Sequence, residues 1–413
     1  MSDNPFTSAP FTSLWLKHFS PMVSKANFDF IPDLSFIKHK TLPLYTNIGK
    51  NNTKGICYTI NHNESDYRKK VFLIYDVPEY LNNSSNFKKK QLAINKIMQY
   101  PGFLIDFNQY ENLDDYLKKS FSKHGRYKLK KNRIRLNASF DVSTKMYYGQ
   151  ITAEEHAKIF TKFKDLLIKR FSQKKITNNN LNPKEWEFFI EVSLQMILEK
   201  KACLFVVYNE DVPIAITLNF VKGKILFDAI TVFNTDYSKF NLGYINIMYL
   251  IEWCMKSGFT ILDFSKGYFD YKKRWGNQIY SFEYHILYDK GYLPAIVIAH
   301  FLSSYFKLKQ KLREWKVNVF LHRSAFFLKA GSRKAKETNQ FKILKLEELP
   351  KNELLNQIDV SAINNSNVVQ HLFDFLYLNS EHIKNVSVYF EKENSSFFFK
   401  GEKKIQKVYP YKI

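Results

Sequence analysis

The chain has 413 residues, 62 Lys and Arg against 39 Asp and Glu, and a net charge of +23. Its length suits two or three domains, and a hydrophobic content of 45% is that of a globular protein and argues against a disordered chain. No apolar run reaches the roughly 18 residues that a membrane span needs.

So basic a chain attracts phosphates, nucleic acid or an anionic membrane surface through its summed field. The joint excess of Lys, Asn, Ile, Phe and Tyr is also what an AT-rich coding sequence produces, and that accounts for part of the charge. Cys57, Cys203 and Cys254 are far apart and form no CxxC pair, so neither a disulfide framework nor a zinc site is expected, and no metal. The opening MSDNPFTSAPFTS carries an acid and no apolar core. No secretory signal is read there, and a reducing cytoplasm is the expected compartment.

Over residues 1–110 the pattern is mixed. Val71–Tyr75 (VFLIY) and Phe103–Phe107 (FLIDF) predict strands, and the Lys-rich stretch Asn86–Tyr100 between them predicts a helix. Residues 111–136 begin with apolar residues at helical spacing. From Lys118 to Arg135 they carry nine Lys or Arg and no acid.

Two amphipathic helices follow. Ile159, Phe160, Phe163, Leu166, Leu167 and Phe171 recur at spacings of three and four, and Trp186–Lys200 repeats the pattern. ACLFVVY (202–208), PIAITLNF (213–220) and ILFDAITVF (225–233) then predict a three-stranded meander, with turns at NEDV and VKGK. The loop NTDYSKFNLG leads into YINIMYLIEWCMKSG, a helix apolar nearly all round and therefore buried. FTILDF (259–264) is the next strand and QIYSFEYHILYD (278–289) the last.

Between these two strands lies the most chemically loaded loop, SKGYFDYKKRWG (265–276). Five of the thirteen glycines (Gly243, Gly258, Gly267, Gly276 and Gly291) fall in this part of the chain. From Pro294 to Phe327 two helices with a basic interior are expected. They either pack on the preceding domain with a solvated basic face or lie on an anionic membrane surface. Residues 340–413 read as a small appended piece with a helix near Val368–Leu378 and late strands. His124, His156 and His285 are scattered, and no HExxH, GxSxG or Walker loop occurs.

Three segments in series, SFSKHGRYKLKKNRIRL, TDYSKFNLGYINIMYLIEWCMKSG and LDFSKGYFDYKKRWG, make the stretch from about 110 to 290 resemble the GNAT acyltransferase superfamily. More narrowly, it resembles the acetyltransferase branch associated with cellulose and exopolysaccharide biosynthesis, a relative of the double-GNAT Fem-type proteins. The resemblance implies an α/β (α+β) fold, a mixed, mostly antiparallel sheet flanked by helices, with two tandem GNAT-like halves. The expected division is 1–110, a degenerate half; 111–292, the acyltransferase domain; 293–339, basic helices; and 340–413, the appendage.

It further implies an acyl-CoA, acetyl-CoA foremost, as co-substrate, and a small-molecule or glycan acceptor from the cell envelope. The expected location is the cytoplasm, either free or peripheral at the inner face of the membrane. The family's glycine-rich diphosphate turn corresponds here to Ser238-Lys239-Phe240-Asn241-Leu242-Gly243, with Asn241 where the first glycine stands. Asn is the non-glycine residue that best tolerates left-handed backbone. Asn241, Leu242, Gly243 and Tyr244 at a helix N-terminus, with Lys239 beside them, would cradle the diphosphate; alternatively the loop only caps a buried helix.

Strands 225–233 and 259–264 would splay around the pantetheine arm. Thr231 and Val232 would line it, and a strand N–H would face the oxyanion. Two carboxylates qualify as the base. Asp228 lies on a strand face with Leu226, Ile230 and Val232, where desolvation raises its pKa, unless it pairs with Lys222 or Lys224. Asp263 ends a strand facing the loop, unless it closes an Asx-turn. Tyr271 would protonate the thiolate or simply pack, like Trp275, and Lys272 would hold an anionic group. A Fem-type transferase using charged tRNA and a non-catalytic GNAT-fold binding module are the competing readings.

Overall fold

The computed structural model describes residues 3–81, 91–174, 178–315, 340–350, 355–360, 363 and 366–411. In chain order the first part comprises α1 (Ala9–Phe19), β1 (Ala26–Asn27), β2 (Ser35–Lys38), β3 (Leu44–Asn47), β4 (Val71–Pro78) and β5 (Leu92–Asp106). Next come α2 (Leu113–Ser120), α3 (Lys123–Ser139), β6 (Val142–Tyr147), α4 (Ala153–Gln173) and α5 (Pro183–Leu198). Then follow β7 (Ala202–Asn209), β8 (Val212–Lys222), β9 (Ile225–Phe233), α6 (Leu242–Lys256), β10 (Ile261–Lys266), α7 (Asp270–Trp275), β11 (Gln278–Asp289) and α8 (Leu293–Glu314). The C-terminal piece holds β12 (Gln340–Leu346), β13 (Leu355–Ile358), α9 (Ser366–Asn379), β14 (Ser387–Glu391), β15 (Ser396–Lys400) and β16 (Ile405–Tyr411).

Eleven strands form one sheet in the order β1-β2-β3-β4-β11-β5-β10-β9-β8-β7-β6. It is a mixed, mostly antiparallel sheet flanked by helices, in an α/β fold. Each end carries one parallel pair, β3 with β4 and β9 with β10. The two ends meet where β11 runs between β4 and β5.

The middle strands are mostly apolar because both faces are covered. Cys203, Phe205 and Val207 of β7 pack with α6, while Leu204 and Val206 pack with α4 and α5 on the other side. Helices α2, α3 and α4 begin where a side chain satisfies one of their first N–H groups. Asn112 accepts from Asp115 N (3.0 Å) and Ser122 from Gly125 N (3.2 Å), and Thr152 with Glu155 makes a capping box at α4.

One expectation fails. The stretch Asn86–Tyr100 reads as a helix, yet from Leu92 onward it is strand, running to Asp106; residues 86–90 lie outside the described residues. β5 pairs with β11 over nearly its whole length and with β10 near its end. That non-local pairing, with Leu92, Ala93 and Ile97 buried, overrides the helix propensity of the lysines.

The helix opening near Pro294 is α8, packed on β4, β5 and β11. The remainder of the expected basic pair, residues 316–339, lies outside the described residues. α9 docks the C-terminal sheet, ordered β12-β16-β15-β14-β13, against α3 and the turn at Thr235–Phe240. The Phe373 ring meets those of Phe140 and Tyr237 (4.9 and 4.7 Å), and Tyr377 donates to Asn132 (2.8 Å). The three cysteines are free thiols.

Candidate active site

β9 and β10 run parallel for three residue pairs, from Ile225–Ile261 to Phe227–Asp263. Beyond that point β10 bulges between Asp263 and Lys266, whereas β9 continues along β8 to Phe233. The two strands therefore fork, and among the described residues no strand pairs with Asp228–Phe233 on its β10 side. The parting is fixed by backbone conformation: Ser265 is left-handed (φ 62°), and Gly267 sits at φ 126°, a region that side chains rarely adopt.

Asp228 stands at the fork, but not in the company expected. The register of β9 on β8 shifts at this point, leaving Ala229 as an extra, bulged residue. The bulge flips the alternation, so Asp228 shares its side with Leu226 and Thr231, while Ile230 and Val232 belong to the opposite core. Val232 is thus a core residue facing α4 and α5. Thr231 Oγ1 donates to Asp228 Oδ1 (2.8 Å) and lies 3.2 Å from Thr217 Oγ1, and Asn246 of α6 donates to the same Thr217 hydroxyl (3.1 Å). Neither Lys222 nor Lys224 is its partner. Burial pushes the Asp228 carboxyl up, partly offset by the Thr231 hydrogen bond and by the charges of Lys272 and Lys54.

Asp263 is fully buried. Tyr280 donates to both its oxygens (2.7 and 2.6 Å), Tyr80 to Oδ2 (2.8 Å) and the Ser265 N–H to Oδ1 (2.6 Å). Tyr280 reaches it because Gly102 opposite has no side chain; a Cβ there would lie 2.3 Å from the Tyr280 ring. Burial raises the Asp263 pKa from 3.8 to about 6 against these donors.

The short helix α7 turns Tyr271 and Lys272 back toward the fork. The Tyr271 phenol is pushed well up by burial and by the Asp228 charge, while Arg170 acts in the opposite sense. Lys272 is buried and donates to the carbonyls of Lys266 (2.7 Å) and Ser265 (3.3 Å). Burial lowers its pKa to about 8, with Asp228 and Asp263 among the opposing charges. The structure thus brings Asp228, Asp263, Tyr271 and Lys272 into one cluster.

Other members were not foreseen. Lys54 comes from the loop between β3 and β4. Burial lowers its pKa to about 8, with Lys266, Asp76 and Asp228 the charges acting on it. Asp76, buried and left-handed (φ 62°), ion-pairs Lys266 and accepts from Thr53 Oγ1 (2.9 Å). Arg170 of α4 donates to the Thr231 carbonyl (3.2 Å) and lies 4.3 Å from the Phe233 ring centre. Lys54 and Asp76 carry no local signal, because only the meeting of the two ends of the sheet makes them neighbours of Asp228. Arg170 interrupts the polar face of an amphipathic helix, as an ordinary solvated cation does.

At the N-terminus of α6, Asn241 is left-handed (φ 59°, ψ 44°). The N–H groups of Tyr244 and Ile245 return to its carbonyl (2.9 and 3.3 Å), so those of Leu242 and Gly243 mark the end of the helix. Leu242 and Gly243 are buried, and the bare side of Gly243 is filled by the Phe233 ring, 2.5 Å from where a Cβ would stand. Tyr244 accepts from Arg274 (3.1 Å), whereas Lys239 turns away toward Asp374 of α9 (3.9 Å). The cations flanking this helix end are therefore Arg170, over Phe233, and Arg274, on Tyr244.

Residues 123–273 match the family model described as acetyltransferase (GNAT) domain. The matched segment runs from α3 to α7 and contains the fork, the Asn241 turn and α6. The GNAT fold supports acyltransferase activity in general and the use of an acyl-CoA. Among solved structures, a conserved protein of unknown function from Bacteroides thetaiotaomicron VPI-5482 is 10% identical over 70% of this chain and 92% of that one, with TM-score 0.46. FemX is 12% identical over 61% and 83%, with TM-score 0.44. L-PGS from Bacillus licheniformis is 11% identical over 73% and 98%, with TM-score 0.42. No curated protein sequence matches the chain. Lys54, Asp76, Tyr80 and Tyr280 stand outside the matched residues, so part of the buried cluster is supplied by the flanking chain.

Proposed function

We propose that the protein is an acyl-CoA-dependent acyltransferase that moves an acyl group, acetyl foremost, onto an amine or hydroxyl of a carbohydrate or cell-envelope precursor in the cytoplasm. The observation that carries this reading is the fork: β9 and β10 part directly after Phe227 and Asp263, with Asp228, Tyr271 and Lys272 at the parting.

The open edge of β9 would hold the thioester, with strand N–H groups aimed at its oxygen. Asn241, Leu242, Gly243 and Tyr244 would present the helix end to the diphosphate, with Arg170 and Arg274 supplying charge where Lys239 is engaged by Asp374. Asp228, with its raised pKa, takes the proton of the attacking amine or hydroxyl as the new C–N or C–O bond forms. The C–S bond then breaks, and Tyr271, which keeps its proton at neutral pH, gives it to the departing thiolate. Asp228 next returns its proton to the Tyr271 oxygen, restoring both groups. Asp263 anchors Tyr80 and Tyr280 behind the site, and Lys272 ties down the β10 carbonyls.

A thermal-shift series with acetyl-CoA, CoA and tRNA tests this reading. Stabilisation by the CoA species alone is expected. Stabilisation by tRNA alone would replace the reading with aminoacyl transfer, and a response to none of them would leave a binding module.

A further inference from the structure

The helix α8 is apolar on two opposite sides. One side, through Ala295, Ala299, Ser303 and Phe306, is buried against β4, β5 and β11. On the other, Leu293, Val297, Phe301, Tyr305, Leu308 and Leu312 recur every three or four residues and are 38–71% exposed. Trp315, just past the helix end, is 71% exposed. At 3.6 residues per turn this stripe covers roughly a third of the circumference and runs about 33 Å. Single exposed apolar side chains are ordinary, but a continuous stripe of this length marks an interaction surface.

We propose that this face of α8 docks the protein on an anionic lipid bilayer. The charges around the stripe select that partner. Lys307, Lys309 and Lys311 are exposed along its edges, and Glu314 is the sole acid in the helix. Such an amphipathic surface buries its apolar side at the acyl boundary while the lysines reach the headgroups. A second copy of the chain fits less well. Packing stripe on stripe would bring the two lysine rows together, on molecules that each carry +23.

Polar contacts tie the C-terminal end of α8 to β5 and to the loop after β10. Arg313 donates to Gln310 (2.7 Å) and to the Gln99 carbonyl and lies over Tyr100, while Gln310 donates to Tyr268 (3.2 Å). Tyr268 and Phe269, on the loop that precedes Tyr271, are themselves exposed. Docking does not depend on acyl transfer and is tested without it.

The experiment is co-sedimentation of the full chain with vesicles of phosphatidylcholine alone and of phosphatidylcholine mixed with phosphatidylglycerol, across a salt series. Binding is expected to the mixed vesicles only, and to weaken as salt rises. The triple change Lys307→Gln, Lys309→Gln and Lys311→Gln should weaken it roughly a hundredfold, from about fivefold per lysine. Phe301→Ser with Leu308→Ser keeps every charge and should also abolish binding, while circular dichroism confirms that the chain remains folded. Binding by that double variant equal to wild type would reduce the effect to non-specific attraction and overturn the proposal. So would equal binding to neutral vesicles, or binding to neither. A concentration-dependent dimer that the double variant abolishes, in a protein that ignores vesicles, would make the stripe a subunit interface instead.

Discussion

Thr231 donates its hydroxyl to the Asp228 carboxylate across 2.8 Å, although residues three apart on a regular strand point to opposite sides. The bulge at Ala229 makes the pairing. It moves Ile230 and Val232 to the opposite core and brings Thr231 to the side of Asp228, whose charge acts on Tyr271 and Lys272.

Asp228→Asn is therefore expected to lower kcat by about 10²–10⁴, the range that a positioned base contributes, without loss of thermal stability. A carboxyl whose pKa is raised by burial is costly to keep charged at neutral pH, and the amide removes that cost. Steady-state kinetics alongside a melting curve checks both halves; a fall in Tm with unchanged kcat would make Asp228 structural.

Tyr271→Phe should lower kcat while leaving the KM for acyl-CoA nearly unchanged, because the lost hydroxyl acts on the leaving group and not on the bound ground state. Acyl donors with more acidic thiols as leaving groups should be less affected. Equal losses for good and poor leaving groups would remove Tyr271 from the acid role.

Asp263 carries a pH signature in stability. Its folded pKa, about 6, lies above the ordinary 3.8, so between these values the folded chain binds more protons than the unfolded one. Stability from this group is present below about pH 4 and is withdrawn as pH rises toward 6. Denaturant titrations of wild type and Asp263→Asn, taken from pH 4 to pH 6, should differ in slope, with the wild type losing stability relative to the variant.

Gly243→Ala should destabilise the fold by about 1–3 kcal/mol, the usual cost of overpacking, because the new methyl would stand 2.5 Å from the Phe233 ring. Shrinking the ring with Phe233→Leu in the same chain should recover most of the loss. At the neighbouring position Asn241→Gly is expected to be nearly neutral, whereas Asn241→Val should cost about 1–2 kcal/mol for a left-handed β-branched residue. Melting temperatures of the four variants decide it.

Much of this site was legible because its parts are local. The meander β7–β8–β9, the buried α6 and the strands β10 and β11 follow from alternation, turn residues and helical spacing, each confined to a short window. Asn241 declares its backbone through its own side-chain chemistry. Interactions across long separations were not legible. β5 looked helical because its lysines favour a helix, and only pairing with β11, nearly two hundred residues on, makes it a strand. The bulge at Ala229 leaves no mark in the apolar pattern, so Asp228 was assigned the wrong companions. Lys54 and Asp76 are an ordinary lysine and aspartate until the sheet places them beside Asp228.

The place of β11 also governs how the chain must be made. β4 (VFLIYDVP) is almost wholly buried, and β11 is its long antiparallel neighbour. On the ribosome β4 emerges about 210 residues before β11 is complete, roughly 10–40 s at ordinary elongation rates. For that interval a sticky apolar strand waits with an unpaired edge. Shielding the nascent N-terminal part, by a chaperone or by slow temperature-limited expression, should decide how much of the protein is recovered in native form.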